Sequence, residues 1–72
     1  MISDDDIENW FTHHPPTAGQ VHNYETIRDA AKAFARVIVA HTPGCPDQTV
    51  AVRKLREVVM IANAAIACFT DR

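Results

Sequence analysis

Val58-Val59-Met60-Ile61-Ala62-Asn63-Ala64-Ala65-Ile66-Ala67-Cys68-Phe69 carries one polar residue, Asn63, in twelve positions. A helix this apolar is buried around most of its circumference. Followed toward the N-terminus, the run acquires a period. Val52, Leu55, Val59, Ala62, Ile66 and Phe69 advance by three, four, three, four and three residues, the repeat of one helix face. Pro46 suits the first turn of that helix, which the spacing carries over about 46–70. Upstream, His41-Thr42-Pro43-Gly44-Cys45 breaks the pattern, and before it Tyr24, Ile27, Ala31, Phe34 and Ile38 advance by three, four, three and four. The spacing predicts a second helix over about 20–41. Two such stripes joined by a short loop make an antiparallel αα-hairpin.

Ahead of the hairpin, Ser3 is followed by Asp4, Asp5 and Asp6. Ser3 suits a helix cap, Asp6 closes a capping box, and the carboxylates complement the positive helix end. A short helix over about 3–12 is predicted, with Ile7, Trp10 and Phe11 as its apolar side. His13-His14-Pro15-Pro16 ends it, because proline disfavours helix at the preceding residue. Thr17, with Gln20 three residues on, is a second capping box. The expected fold is all-α: a short N-terminal helix, then a long antiparallel hairpin, one domain over residues 1–72 without repeats or linkers.

A chain of 72 residues buries only about 60% of the surface its unfolded form exposes. Domains of this size usually need a disulfide, a metal or a partner subunit. Cys45 and Cys68 stand 23 residues apart, roughly 34 Å along one helix, too far for a disulfide. His13, His14, His22, His41, Cys45 and Cys68 show no recurrent metal-ligand spacing, so no metal is expected. That leaves self-association. Val58, Ile61, Ala65 and Cys68, with Trp10 from the first helix, are the expected interface between copies, and Ala64, Ala65 and Ala67 let another helix approach closely. The competing arrangement has the first helix, through Trp10 and Phe11, cover that side within one chain.

Other classes are disfavoured. A net charge of −2 argues against a general nucleic-acid coat, and a long apolar last helix against a DNA-reading helix. No apolar run reaches the roughly 18 residues of a membrane span, and the acidic start does not suit a signal peptide, so a cytoplasmic location is expected. Nothing predicts an enzyme: Ser3 is a cap, Gly19 and Gly44 stand alone, and no cofactor motif occurs. Arg28, Lys32 and Arg36 recur every four residues, and Arg53, Lys54 and Arg56 follow on the third helix. A row of this kind beside an apolar seam suits phosphate, since guanidinium donates two parallel hydrogen bonds to its oxygens. From spacing alone a solvated surface is preferred, with Glu25–Arg28 and Asp29–Lys32 ready to pair. The His13 and His14 imidazoles suit base stacking or phosphate.

Phe11-Thr12-His13-His14-Pro15-Pro16, Tyr24-x-x-Ile27-Arg28, Thr49 to Leu55, and Met60-Ile61-Ala62-Asn63-Ala64-Ala65-Ile66-Ala67 stand in an order and separation that resemble the hairpin-domain family of phage anti-CBASS proteins, over about residues 11 to 68. The resemblance implies a small helical protein that assembles as a hexamer of interlocked trimers. It implies sequestration, without cleavage, of cyclic dinucleotide immune signals where protomers meet. Some members also hold cyclic trinucleotides at separate sites, and a related branch binds cyclised ADP-ribose signals. By the same resemblance His13 stands where a base-stacking aromatic is common, and Arg28 where a basic residue meets phosphate. Phe11, Thr12, His14, Tyr24 and Lys32 are the neighbouring ligand candidates, with His14 considered for a second site. Cys68 stands where an arginine is common, which weakens any trinucleotide pocket, and Ile61 replaces a common tryptophan. The resemblance places action in the cytoplasm of the infected bacterium. Without it, the residues support an assembly or protein-interaction module that binds no nucleotide.

Overall fold

The computed structural model describes residues 1–70. Three helices and no strand occur among them: α1 (Asp4–Phe11), α2 (Ala18–His41) and α3 (Pro46–Phe69). Both expected capping boxes form. Ser3 Oγ accepts from the Asp6 amide while Asp6 Oδ2 accepts from the Ser3 amide, 3.1 and 3.0 Å. Thr17 and Gln20 do the same for α2, 3.2 and 2.9 Å. Because Thr17 is the cap, α2 starts at Ala18, two residues before the expected position.

The hairpin seam takes Tyr24, Ile27, Ala31, Ala35 and Ile38 from α2 and Val52, Leu55, Val59, Ala62 and Ile66 from α3, all half-buried. Two stripe positions differ from expectation. After Ala31 the seam steps four residues to Ala35, and Phe34 is 55% exposed. At 3.6 residues per turn either position can follow Ala31. The small side chain takes the seam, while Phe34 turns to a flanking hollow with Ile27, Ala30 and Val58. Phe69 is 62% exposed; it lies beyond Ile66, the last seam position, and lines a hollow with Trp10 of α1.

The hairpin ends are tied by side-chain amides. The last four carbonyls of a helix have no intrahelical partner. Gln48, in the first turn of α3, donates from Nε2 to the carbonyls of Val39 and Thr42, 3.3 and 3.2 Å. Gln20, in the first turn of α2, donates to the carbonyl of Ile66, 3.3 Å. Asn9 of α1 donates to the carbonyl of Cys68, 2.9 Å. Helix α1 therefore joins α3 through a polar tether. Its apolar side stays largely open, with Ile7, Trp10 and Phe11 all exposed, so the first helix covers α3 only at Cys68.

The protomer is a thin plate of 45 × 31 × 14 Å, barely deeper than one helix with its side chains. Its radius of gyration is 15.4 Å, against about 11 Å for a compact chain of this length. Among the described residues only Cys68 and Gln20 are buried, and no large side chain is fully enclosed. Asn63, the polar residue of the deciding stretch, buries its Oδ1 without a hydrogen-bond partner. Both cysteines are free.

Gln20→Ala removes half a capping box and the tie to Ile66, and is expected to cost about 1–2 kcal/mol. Thermal denaturation at a fixed protein concentration reads this as a fall of roughly 4–8 °C per kcal/mol. Gln48→Ala, at the more exposed end, is expected to cost less. The opposite order would contradict the role given to Gln20.

Candidate functional site

The expected ligand residues separate into two places. In the middle of the hairpin, Arg28 and Lys32 of α2 face Arg56 of α3 across a hollow of about 280 Å³ floored by Ala31, Leu55 and Val59. The i,i+4 spacing puts Arg28 and Lys32 on one face of α2. The antiparallel pairing brings Arg56 opposite them. Met60, one turn beyond Arg56, lines the same hollow and is 61% exposed. Arg36 lies beside a separate apolar hollow with Val39 and Ala40, so the cationic row divides after Lys32.

The expected Glu25–Arg28 and Asp29–Lys32 pairs do not form. The only ion pair among the described residues is Lys54 with Glu57, 3.5 Å. Arg28, Lys32 and Arg56 thus keep their charge unneutralised over an apolar floor. A cation 4 Å from an anion gains about 1 kcal/mol in water and about 4 kcal/mol at the effective dielectric of a protein surface. The lining of the hollow is almost wholly apolar, so the three residues border it with their aliphatic stems while their charged ends stand in solvent. The apolar floor offers a surface to a flat ring.

The second place lies at the α1 exit. Thr12 and His14 line a polar hollow of about 390 Å³ with Asp5, Glu8 and Asn9. The two carboxylates make it hostile to phosphate. His14 Nε2 sits 2.7 Å from the carbonyl of Asn9. A carbonyl only accepts, so Nε2 carries the proton and donates. His13 is exposed beside this hollow, and Phe11, at 83% exposure, ends α1. Tyr24 is half-buried in the seam. Neither of these two hollows holds both His13 and Arg28. Arg28 lies ten residues into α2, about 15 Å along its axis from the start.

Of the residues expected between copies, Val58 and Ile61 are 59% and 70% exposed, and Ala65 is open as well. Trp10, Ile61, Ala65 and Phe69 line an apolar hollow at the α1–α3 end. Cys68 differs. It is 7% exposed, its Sγ 3.8 Å from the Asn9 carbonyl, because α1 docks over it. Its thiol offers little surface to another chain.

Arg56 and Met60 are the site residues that sequence reasoning missed. Arg56 was legible as a cation; only the register of the antiparallel pair brings it opposite Arg28. Among the described residues no group of three or more His, Cys, Asp or Glu side chains is placed to hold a metal ion, and no helix is long and apolar enough to cross a membrane.

Comparison with known proteins gives one match. The family model described as Acb2/Tad1, hairpin domain, matches residues 3–67. No curated protein and no solved structure matches the chain at a significant level.

Proposed function

The chain belongs to the Acb2/Tad1 hairpin-domain family of phage anti-CBASS sponges, and from that premise we propose that it binds cyclic dinucleotides and holds them intact. The observation that carries this reading is the apolar mid-hairpin hollow bordered by the stems of Arg28, Lys32 and Arg56, three exposed cations that form no ion pair. A cyclic dinucleotide brings two phosphates and two bases. Arginine meets phosphate with paired charge-assisted hydrogen bonds. His13, exposed at the α1 exit, stacks on a base.

The geometry of one protomer favours a shared site. A hollow of about 280 Å³ falls at the lower edge of the roughly 300–1,000 Å³ typical of small-molecule pockets. Since His13 and Arg28 lie in different places on one plate, a second copy is the natural source of His13. Two-fold pairing of copies then offers two arginines and two imidazoles to a two-fold ligand. The plate has the surface to associate: Phe34, Val58, Ile61 and Phe69 are each more than half exposed, and burying such a side chain stabilises by about 1.5–3 kcal/mol. The resemblance to the family makes a hexamer the expected assembly. Cyclic trinucleotides fit less well, since Cys68 is buried where relatives carry arginine. The protein needs no catalysis. In the cytoplasm of an infected host it lowers the free signal, and the host effector stays inactive.

Calorimetry with a panel of cyclic dinucleotides is expected to give at least one dissociation constant below about 10 μM, and heating the complex is expected to release the ligand chemically unchanged. Arg28→Ala and Arg56→Ala are each expected to lose at least about 1.5 kcal/mol of binding, with the wild-type affinity falling as salt rises. Wild-type affinity in both variants would remove the phosphate role of the hollow.

Native mass measurement is expected to find a multiple of the 8.0 kDa chain, six copies by family membership, and a higher melting temperature with ligand present. A folded monomer at micromolar concentration would end the shared-site reading. An intact assembly indifferent to every cyclic nucleotide would leave an assembly module in its place.

A further inference from the structure

Thr12 to Pro16 lies between two anchors on the same turn of α3. On one side, Asn9 donates from Nδ2 to the carbonyl of Cys68, 2.9 Å, and its own carbonyl accepts from His14 Nε2, 2.7 Å. On the other side, Thr17 and Gln20 close their capping box, and Gln20 donates to the carbonyl of Ile66, 3.3 Å. Cys68 and Ile66 are two residues apart, so both anchors grip one end of one helix. Between them, Pro15 and Pro16 fix their own φ angles, and each proline restricts the residue before it, His14 included. His13 is the exposed imidazole in this braced segment, and it makes no hydrogen bond or ion pair of its own.

We propose that Asn9 and His14 form a clasp that holds His13 in place for stacking on a base, so that His14 is a positioning residue rather than a ligand. The inference rests on the cyclic-dinucleotide reading of His13. The geometry supports it in three ways. His14 has committed the ring nitrogen nearest α1 to the Asn9 carbonyl. The hollow that His14 lines carries Asp5 and Glu8, which repel the phosphates a direct ligand would have to meet. The bond to Asn9 does not require a charged ring, since Nε2 bears a proton in the cation and in one neutral tautomer alike. The gain is preorganisation. A loose loop would surrender backbone freedom each time His13 stacked, whereas a clasped one has surrendered it on folding.

A cyclic dinucleotide carrying the fluorescent base 2-aminopurine separates stacking from phosphate binding. The expected result for His14→Ala is a loss of most of the stacking quench and an affinity about tenfold weaker, with the salt dependence set by Arg28 unchanged. Asn9→Ala should behave alike. His14→Gln keeps an N–H near the position of Nε2 and is expected to recover affinity to within about threefold of wild type. Wild-type quenching in His14→Ala would overturn the proposal. So would dissociation or unfolding of that variant by native mass and circular dichroism, because the role would then be structural. Backbone order parameters distinguish this failure from failure of the ligand reading. Without ligand, His13 is expected near the rigid value of about 0.85 in the wild type and below about 0.6 in His14→Ala. That change upholds the clasp even where no cyclic dinucleotide binds, and a mobile His13 in the wild type overturns it.

Discussion

The hairpin is tied at both ends by side-chain amides that donate to carbonyls at the helix ends. Gln48 reaches the end of α2, while Gln20 and Asn9 reach the end of α3. Both glutamines occupy the third position of their helix, so the start of each long helix is tied to the finish of the other. The ties fix the antiparallel register to a single residue, and the register places Arg56 opposite Arg28. With two helices locked side by side and α1 tethered by one amide, the chain has width but no depth. Among the described residues no large side chain finds a fully enclosed position.

A plate without depth presents both its faces. Around the mid-hairpin hollow the face carries cations and an apolar floor; at the Phe34 and Val58 hollow it is apolar alone. The α1 end adds carboxylates at Asp5 and Glu8. The mid-hairpin hollow is thus bordered by cations and the α1 hollow by carboxylates, although the net charge is only −2. An anion approaching one copy meets attraction in the middle and repulsion at the end. The loop at the α1 exit, where His13 is exposed, thus borders carboxylates that repel phosphate.

Much of this was legible in the sequence, and the failures have a common cause. Caps are local, needing only residues three apart, so Ser3–Asp6 and Thr17–Gln20 could be read directly. The three helices followed from caps, breaks and period. The choice between Phe34 and Ala35 could not be read so, because both lie near the apolar stripe and the closeness of α3 decides which fits. The ion pairs expected on α2 had the right spacing, but spacing permits a pair without enforcing it, and side-chain entropy opposes an exposed one. The amide ties at the helix ends have no sequence signature, since a glutamine in a first turn looks the same whether it faces water or a neighbouring carbonyl. His13 and Arg28 were expected in a site where copies meet; within one chain His13 lies at the α1 exit and Arg28 in the middle of α2.

The same thinness bears on how a sponge of this kind would work. In a deep pocket, affinity comes from enclosure by one chain, and assembly is incidental. On a plate, enclosure requires another plate, so association and ligand binding draw on the same exposed surface. A ligand held between copies binds the assembled state in preference to the separated one, and mass action then favours assembly as ligand accumulates. In the proposed sponge, exposed apolar side chains such as Val58 and Ile61 would join copies, while Arg28, Lys32 and Arg56, which form no ion pair, would be left to meet the ligand. That division of labour would let one chain of 72 residues act as both scaffold and receptor.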